Sequence, residues 1–255
     1  MAETEVIEAS PPVVPRPASG RLEVRYATGL SLLGLTSGLA LVDSLIGGLK
    51  PDTVALLTGP GIPIQAAERY CVRAQLSEAK GGLNRGAFFI DAGNSFDVYL
   101  FTALAREYHL DYDSALNRQW LSRAFTIYEL RSLIEDSETV FAVRKPKLLV
   151  VSEVFSLFTE DIDAYEARRV FRNIVSEVSD ICEREKVPIL LTSSTRHKLI
   201  TPILEERCSV SADIVQGDHR VTSRLFKHPW KAPGETITET GTMNYNQDTL
   251  PTEVW

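Results

Sequence analysis

Four short, almost entirely apolar segments recur along the chain, separated by longer segments with helical periodicity. The apolar segments are residues 54–57, 87–91, 147–151 and 188–192. Strands that are buried on both faces form continuous apolar runs of this kind, whereas half-exposed strands alternate. The order strand, helix, strand therefore predicts an α/β fold, with a mainly parallel β-sheet and helices on both faces.

Helical periodicity predicts helices over residues 66–79, 96–108, 127–138 and 164–185. In the last of these, Val170, Ile174, Val178 and Ile181 share one face, as expected for a helix that packs on a sheet. After residue 211 the pattern changes to short β segments. They cover residues 212–215, 220–226 and 236–240 and predict a C-terminal antiparallel extension along one edge of the sheet.

The first predicted strand leads into residues 58–66 (TGPGIPIQA) and then into a helix, which is the setting of a phosphate-binding loop. Such loops carry G-x-x-x-x-G-K-[ST], where backbone N–H groups surround the phosphates, the lysine supplies charge and the hydroxyl binds magnesium. This chain has Ile64, Gln65 and Ala66 at the last three positions. The lysine and the hydroxyl are therefore both replaced.

The same loop also lacks backbone donors, because Pro60 and Pro63 have no N–H group. Gly59 and Gly61 are then better explained by a plain strand-to-helix turn than by a phosphate cradle. We expect no bound nucleotide or other cofactor at this loop.

Composition excludes several other classes of protein. The formal net charge is −7, whereas broad nucleic-acid binding requires a basic surface. Cys71, Cys182 and Cys208 are widely spaced and the four histidines are scattered, so we expect neither disulfides nor a metal site. No apolar run reaches the roughly 18–20 residues of a membrane span, and the acidic N-terminus does not resemble a secretory signal. A cytoplasmic protein is predicted, or a nuclear one in a eukaryote.

The chain length favours one domain with two tails. Residues 1–24 are rich in proline and are predicted to be a disordered tail. Residues 25–240 are predicted to form the core domain, and the polar residues 241–255 a flexible C-terminal tail.

Five segments, in a fixed order, carry a resemblance to a known family. They are residues 41–49 (LVDSLIGGL), 81–91 (GGLNRGAFFID), 122–125 (SRAF), 147–151 (KLLVV) and 224–235 (RLFKHPWKAPGE). Over about residues 28–240 the chain resembles the ATPase core of the RecA/RadA family of recombinases, and most closely the RadA-like paralogues. The resemblance implies a RecA-like core, but no counterpart of the family's N-terminal helical DNA-binding domain is found.

The resemblance also implies where a working nucleotide site would lie. The magnesium-binding aspartate would follow residues 147–151, where this chain has Ser152. The neighbouring Glu153 is not expected to replace it, because successive strand side chains point to opposite faces. The general base would stand at Gly93, which has no side chain to offer. With the lysine, the hydroxyl, the magnesium ligand and the base all replaced, we expect no catalytic residues and no ATP hydrolysis.

Further site residues are implied by the family's oligomers. ATP in this family lies between neighbouring subunits, and the turn with Lys227 and Pro229 corresponds to the part that covers the adjacent nucleotide. Lys227 could thus act on a partner's site in trans, or could simply be a solvated lysine at a strand end.

Two loops of the family contact DNA. Here the first, residues 158–163, is acidic and poorly suited to phosphate. The second offers Arg196, His197 and Lys198, which suit backbone contacts but are equally compatible with a solvated loop.

These observations predict a catalytically inactive RecA-fold paralogue, a pseudo-ATPase that acts as an accessory subunit in homologous recombination and DNA repair. Its expected partner is a RadA-type recombinase or another RecA-fold paralogue in a hetero-oligomer, with weak DNA contact and no membrane. The alternatives are a KaiC-like regulator that binds nucleotide without hydrolysing it, and a residual ATPase that works only in a hetero-oligomer.

Overall fold

The computed structural model describes residues 34–159 and 162–239, so the predicted tails, residues 1–24 and 241–255, lie outside the described residues. The helices are α1 (Ala40–Ile46), α2 (Ile62–Ala74), α3 (Val98–Glu107), α4 (Tyr112–Asn117), α5 (Ile127–Glu135), α6 (Ser137–Arg144), α7 (Ala164–Glu185) and α8 (Thr201–Arg207). The strands are β1 (Val54–Thr58), β2 (Phe88–Asp91), β3 (Trp120–Arg123), β4 (Leu149–Ser152), β5 (Ile189–Ser193), β6 (Val210–Gln216), β7 (Arg220–Lys227) and β8 (Gly234–Glu239).

The strands form one sheet in the order β3-β2-β4-β5-β1-β6-β7-β8. Pairing is parallel from β3 through β6 and antiparallel for β7 and β8. The predicted α/β class, with a mainly parallel sheet and a C-terminal antiparallel extension, is confirmed.

The prediction that all three C-terminal segments are antiparallel additions was wrong for the first of them. Strand β6 pairs in parallel with β1, with Thr58 opposite Asp213. The reason is α8, which lies between β5 and β6 and provides the crossover that a parallel connection requires. The antiparallel extension therefore consists of β7 and β8 only.

Two further elements differ from prediction on the β3 side of the sheet. Strand β3 was missed because it is a four-residue edge strand whose residues are alternately half-buried and exposed. The helix predicted over residues 127–138 is two helices, since Asp136 ends α5 and also caps the start of α6. The long helix predicted over residues 164–185 has those bounds in the structure.

Two apolar cores cover the two faces of the sheet. One contains residues of α1, α2 and α3 together with Leu57 and Val150, and the other contains residues of α5, α7 and α8 together with Leu56 and Val151. Because the central strands are buried on both faces, the carboxyl ends of the parallel strands remain as the edge where side chains can meet a ligand.

Within the described ranges, no helix is both long and apolar enough to cross a lipid bilayer. In the same ranges, no group of three or more His, Cys, Asp or Glu side chains is arranged to hold a metal ion.

Candidate functional site

The candidate site lies where the parallel strands β1, β2, β4 and β5 end. Their carboxyl ends are here called the carboxyl edge of the sheet. Parallel register brings Thr58 of β1 level with Ser193 of β5, and Asp91 of β2 level with Ser152 of β4. The loop after β1 therefore lies along the same edge as Ser152 and Gly93, the positions where the resemblance implies that the magnesium ligand and the general base are replaced.

The loop after β1 is only three residues long. Helix α2 begins at Ile62, four residues earlier than the start predicted at Ala66, and Gly61 is its N-cap. Pro63 lies in the first turn of the helix, where a missing N–H costs nothing. Residues of the expected phosphate loop have thus become the start of a helix.

The conformation of this loop depends on Gly59. It has a φ of 118°, which only glycine adopts readily, and an added Cβ would lie 1.9 Å from the carbonyl oxygen of Ile214. The backbone of β6 therefore packs directly against the loop. This close approach fixes the turn without any ligand.

Few backbone donors are left for a phosphate group. The N–H of Ile62 donates to the carbonyl of Pro60, and that of Gln65 donates to the carbonyl of Gly61. Gln65 is exposed, whereas the neighbouring Ala66 is buried. Gln65 brings no charge to the loop, and the N–H groups of Ile62 and Gln65 are already used within the protein.

Hydrogen-bonded hydroxyl groups surround Ser152, which stands where the resemblance would place a magnesium-binding aspartate. Ser152 Oγ lies 2.7 Å from Ser95 Oγ, and Thr192 Oγ1 donates to Ser152 Oγ over 3.2 Å. Ser95 Oγ itself donates to Asp91 Oδ1 over 3.1 Å. Since each hydroxyl has one proton, donation runs from Thr192 through Ser152 and Ser95 to Asp91. Ser152 is therefore fully engaged within the protein.

Asp91 organises the turn that follows β2. Its buried carboxylate accepts hydrogen bonds from the N–H groups of Gly93, Ser95 and Phe96. It also forms an ion pair with Arg123 of β3 over 3.2 Å. This carboxylate has the donors that compensate for its burial, so its role in the described structure is to shape the turn.

Glu153 lies over Gly93, which sequence alternation did not predict. Strand β4 ends at Ser152, and Glu153 then has a left-handed φ of 57°, so the alternation of a strand no longer applies. A Cβ added to Gly93 would lie 2.4 Å from Cβ of Glu153. The Glu153 carboxylate accepts from the N–H of Ser194 and from the hydroxyls of Ser193 and Ser194. Strand alternation therefore does not describe Glu153, and the expectation that it does not replace the magnesium ligand stays a prediction.

Glu68 is a site residue that sequence reasoning missed. It lies on α2 and is 1% exposed, and its Oε1 accepts a hydrogen bond of 2.8 Å from the N–H of Asp97. Its buried Oε2 has no hydrogen-bond partner among residues 34–159 and 162–239. Burial raises the pKa of Glu68 to about 8, although the hydrogen bond from Asp97 opposes this. A single glutamate on the buried face of the helix was the only sequence signal.

Comparisons with known proteins agree with the observed fold. The family model for Rad51 matches residues 30–199, about two thirds of the chain. The chain belongs to the Rad51 family. It is also 26% identical over 140 residues to the "DNA repair and recombination protein RadA" of Aeropyrum pernix, which covers 54% of this chain and 44% of that relative. The chain thus spans less than half the length of this curated relative, and the predicted RecA/RadA resemblance is confirmed.

In this Rad51-family chain, the residues predicted to contact DNA begin just after β5. Arg196 is already paired, since its Nη2 lies 2.8 Å from Glu205 Oε1 and its guanidinium lies 4.3 Å from the ring centre of Phe226. The N–H of His197 donates to Thr201 Oγ1. Lys198 is exposed. Of the three predicted residues, Lys198 thus has the most accessible charge.

The residues predicted to act on a neighbouring subunit lie at the end of β7, and the side chain of Lys227 reaches the last turn of α8. Lys227 Nζ donates to the backbone carbonyls of Glu205 and Glu206 over 3.0 and 3.1 Å. A cation in this place stabilises the negative end of the helix. Pro229 is exposed in the following turn. Lys227 therefore has an intramolecular role that the sequence did not indicate.

Proposed function

We propose that the chain is a catalytically inactive RecA-fold paralogue that serves as an accessory subunit in homologous recombination and DNA repair. The observation that carries this proposal is the state of the carboxyl edge, where α2 begins at Ile62 and the loop before it is three residues long. A phosphate group would find neither a lysine nor an open ring of N–H donors there.

The other catalytic positions support the same proposal. Phosphoryl transfer depends on magnesium, a positioned base and charge stabilisation. At the magnesium position, the Ser152 hydroxyl is engaged with Ser95 and Thr192. At the base position, Gly93 has no side chain, and Cβ and Cγ of Glu153 occupy the space that one would take. These replacements act together, so we expect no hydrolysis by the isolated chain.

The role in recombination rests on relatives. Membership of the Rad51 family and the similarity to a protein named for DNA repair and recombination support it. Because the catalytic positions of the family are replaced in this chain, we propose partnership rather than the whole activity. The proposed partner is a RadA-type recombinase or an active paralogue, in the cytoplasm or in a eukaryotic nucleus.

The chain's own contribution to DNA binding is proposed to be small. Its net charge is −7, and the guanidinium of Arg196 is already paired with Glu205. Lys198 remains as an exposed cation beside it. DNA contact would therefore depend mainly on the partner.

The first experiment measures ATP turnover by the purified chain, by a RadA-type recombinase from the same organism, and by the two mixed. We expect no ATP turnover by the chain alone. When the tagged chain is purified, we expect it to bring the recombinase with it in a stable complex that survives nuclease and moderate salt. The proposal fails if the chain alone hydrolyses ATP with magnesium, or if no recombinase or RecA-fold paralogue is recovered with it.

The same experiment separates the alternatives. Saturable binding of a fluorescent ATP analogue by the chain alone, without turnover, would favour the KaiC-like regulator. ATP turnover by the mixture that neither protein shows by itself would favour a hetero-oligomeric ATPase. Lys227→Ala should then abolish it, with Lys231→Ala as the matched control, because Lys231 Nζ also donates to helix carbonyls, those of Ser44 and Leu45.

A further inference from the structure

The Glu153 carboxylate is held by donors that converge as they would on a bound anion. The N–H of Ser194 lies 3.2 and 3.0 Å from its two oxygens, and Ser194 Oγ lies 3.1 Å from Oε2. Ser193 Oγ adds a longer contact of 3.4 Å. Adjacent backbone and hydroxyl donors aimed at one group are the usual way in which proteins bind an oxyanion.

Two unusual structural features accompany the position of this carboxylate. Glu153 has a φ of 57°, in a region that non-glycine residues rarely occupy. Gly93 must remain without a side chain, because Cβ and Cγ of Glu153 fill the adjoining space. Other residues such as Lys145 and Lys186 share this left-handed φ, so what distinguishes Glu153 is its packing against Gly93 together with its hydrogen bonds.

The contacts of Glu153 join two parts of the edge. Glu153 directly follows β4, whereas Ser194 begins the segment of residues 194–200 that connects β5 to α8. This segment carries the cations Arg196 and Lys198. The carboxylate therefore fixes the start of the segment relative to the end of β4.

We propose that Glu153 is a built-in anion, which takes the place of an external phosphate group at the carboxyl edge and holds the start of segment 194–200 without any ligand. This inference deepens the proposed function and rests on it. A subunit that neither binds nor cleaves ATP holds its edge in one state with its own side chain.

Removal of the carboxylate should uncover an anion-binding pocket. Gly93 is exposed, so the vacated space opens to solvent. The guanidinium groups of Arg123 and Arg196 on this edge are paired with Asp91 and Glu205. The pocket would thus rely on the donors of Ser193 and Ser194, and we expect weak, millimolar binding of phosphate.

The test measures urea unfolding of the full chain and of Glu153→Ala, with and without 100 mM inorganic phosphate at constant ionic strength. A pocket with a dissociation constant of about 10 mM predicts that phosphate lowers the unfolding equilibrium constant of Glu153→Ala about tenfold. The wild type and Glu177→Ala, which removes a charge from α7, should show only the smaller general effect of phosphate. Glu153→Gly is a second variant with the same vacancy, since glycine tolerates the positive φ.

Adding Ser194→Ala to Glu153→Ala should weaken the phosphate effect, because one donor is lost. If neither Glu153 variant responds to phosphate more than the wild type does, the inference is wrong. This outcome is distinct from failure of the proposed function, which would be ATP turnover by the wild-type chain. Phosphate rescue together with wild-type turnover would overturn the function and leave the pocket standing.

Discussion

The backbone N–H of Asp97 donates a hydrogen bond of 2.8 Å to Oε1 of Glu68, a glutamate that is 1% exposed. The contact ties the first residue before α3 to the middle of α2. Burial raises the pKa of Glu68 from 4.5 to about 8, so the folded protein retains a proton that the unfolded chain has released at neutral pH.

This protonation predicts a pH-dependent stability. A raised pKa contributes stability that is fully present below about pH 4.5 and is lost as the pH rises through about 8. The free energy of unfolding should therefore fall by on the order of 1 kcal/mol per pH unit between these values. Urea unfolding at several pH values measures it. Glu68→Gln, which cannot ionise, should show a flatter profile, and equal slopes for the two proteins would contradict the assignment.

The two glycines of the loop after β1 should differ in their tolerance of a side chain. In Gly59→Ala the new Cβ would meet the carbonyl of Ile214, and the φ of 118° is unsuitable for alanine. We expect a loss of about 3 kcal/mol or more in unfolding free energy. In Gly61→Ala no atom of the described part of the chain lies within 4 Å of the new Cβ and φ is 75°, so only about 1 kcal/mol should be lost. Thermal unfolding compares them, and similar losses would show that β6 does not confine the loop.

Gly93 and Glu153 should be energetically coupled. Gly93→Ala places a methyl group against Cβ and Cγ of Glu153, so we expect a loss of about 2 kcal/mol. In a Glu153→Gly background the same methyl group has room and should cost much less. A double-mutant cycle should give a coupling energy of about 1 kcal/mol or more. Additive effects would mean that the side chain of Glu153 does not occupy this space.

Restoring a carboxylate at the magnesium position should not restore catalysis. In Ser152→Asp the new group would face Ser95, whose hydroxyl already donates to the buried Asp91. Two carboxylates sharing this site should repel, with a loss of about 2–4 kcal/mol in stability. Ser152→Ala should cost about 1 kcal/mol, as the control that removes only the hydroxyl. Magnesium-dependent ATP turnover by Ser152→Asp would show that the edge is closer to activity than proposed.

Arg196 and Lys198 should respond differently to substitution. Arg196→Ala removes the ion pair with Glu205 and the contact with Phe226, so we expect a loss of about 1–2 kcal/mol in stability. Lys198→Ala should change stability by less than about 0.5 kcal/mol, since its side chain is exposed. If the segment contacts DNA, Lys198→Ala should weaken binding and reduce its salt dependence. Fluorescence anisotropy with labelled single-stranded DNA measures this, with Lys145→Ala as an exposed control.

Much of the fold could be predicted from the sequence because the central strands are buried on both faces and carry an unbroken apolar signal. The bounds of α7 followed from its apolar stripe, which continues to the end of the helix. Strand β3 could not be recognised in this way, since an edge strand such as Trp120–Arg123 is half covered and mixes apolar with polar residues. The parallel pairing of β6 depends on the crossover by α8, which no residue pattern within β6 reveals.

The sequence shows which residues stand at the motif positions of the site, but it does not show what contacts them. The sequence shows directly that Gln65 and Ser152 stand where lysine and aspartate are expected. The position of Glu153 depends on a single left-handed residue after β4, and its contacts with Ser194 join residues 41 positions apart. Pairings of this kind are set by tertiary packing, so local sequence rules cannot supply them.

The early start of α2 has a consequence for substitutions at the motif. Lysine at position 65 would stand within a formed helix, whose N–H at that residue is already bonded to the carbonyl of Gly61. Point substitutions at Ile64, Gln65 and Ala66 would restore the residues of the motif, but these residues would still lie within helix α2 rather than in a loop. For the inactive subunit that we propose, a gain of catalysis would require the helix to unwind by a turn and Glu153 to withdraw at the same time, so single substitutions at the motif would not supply it.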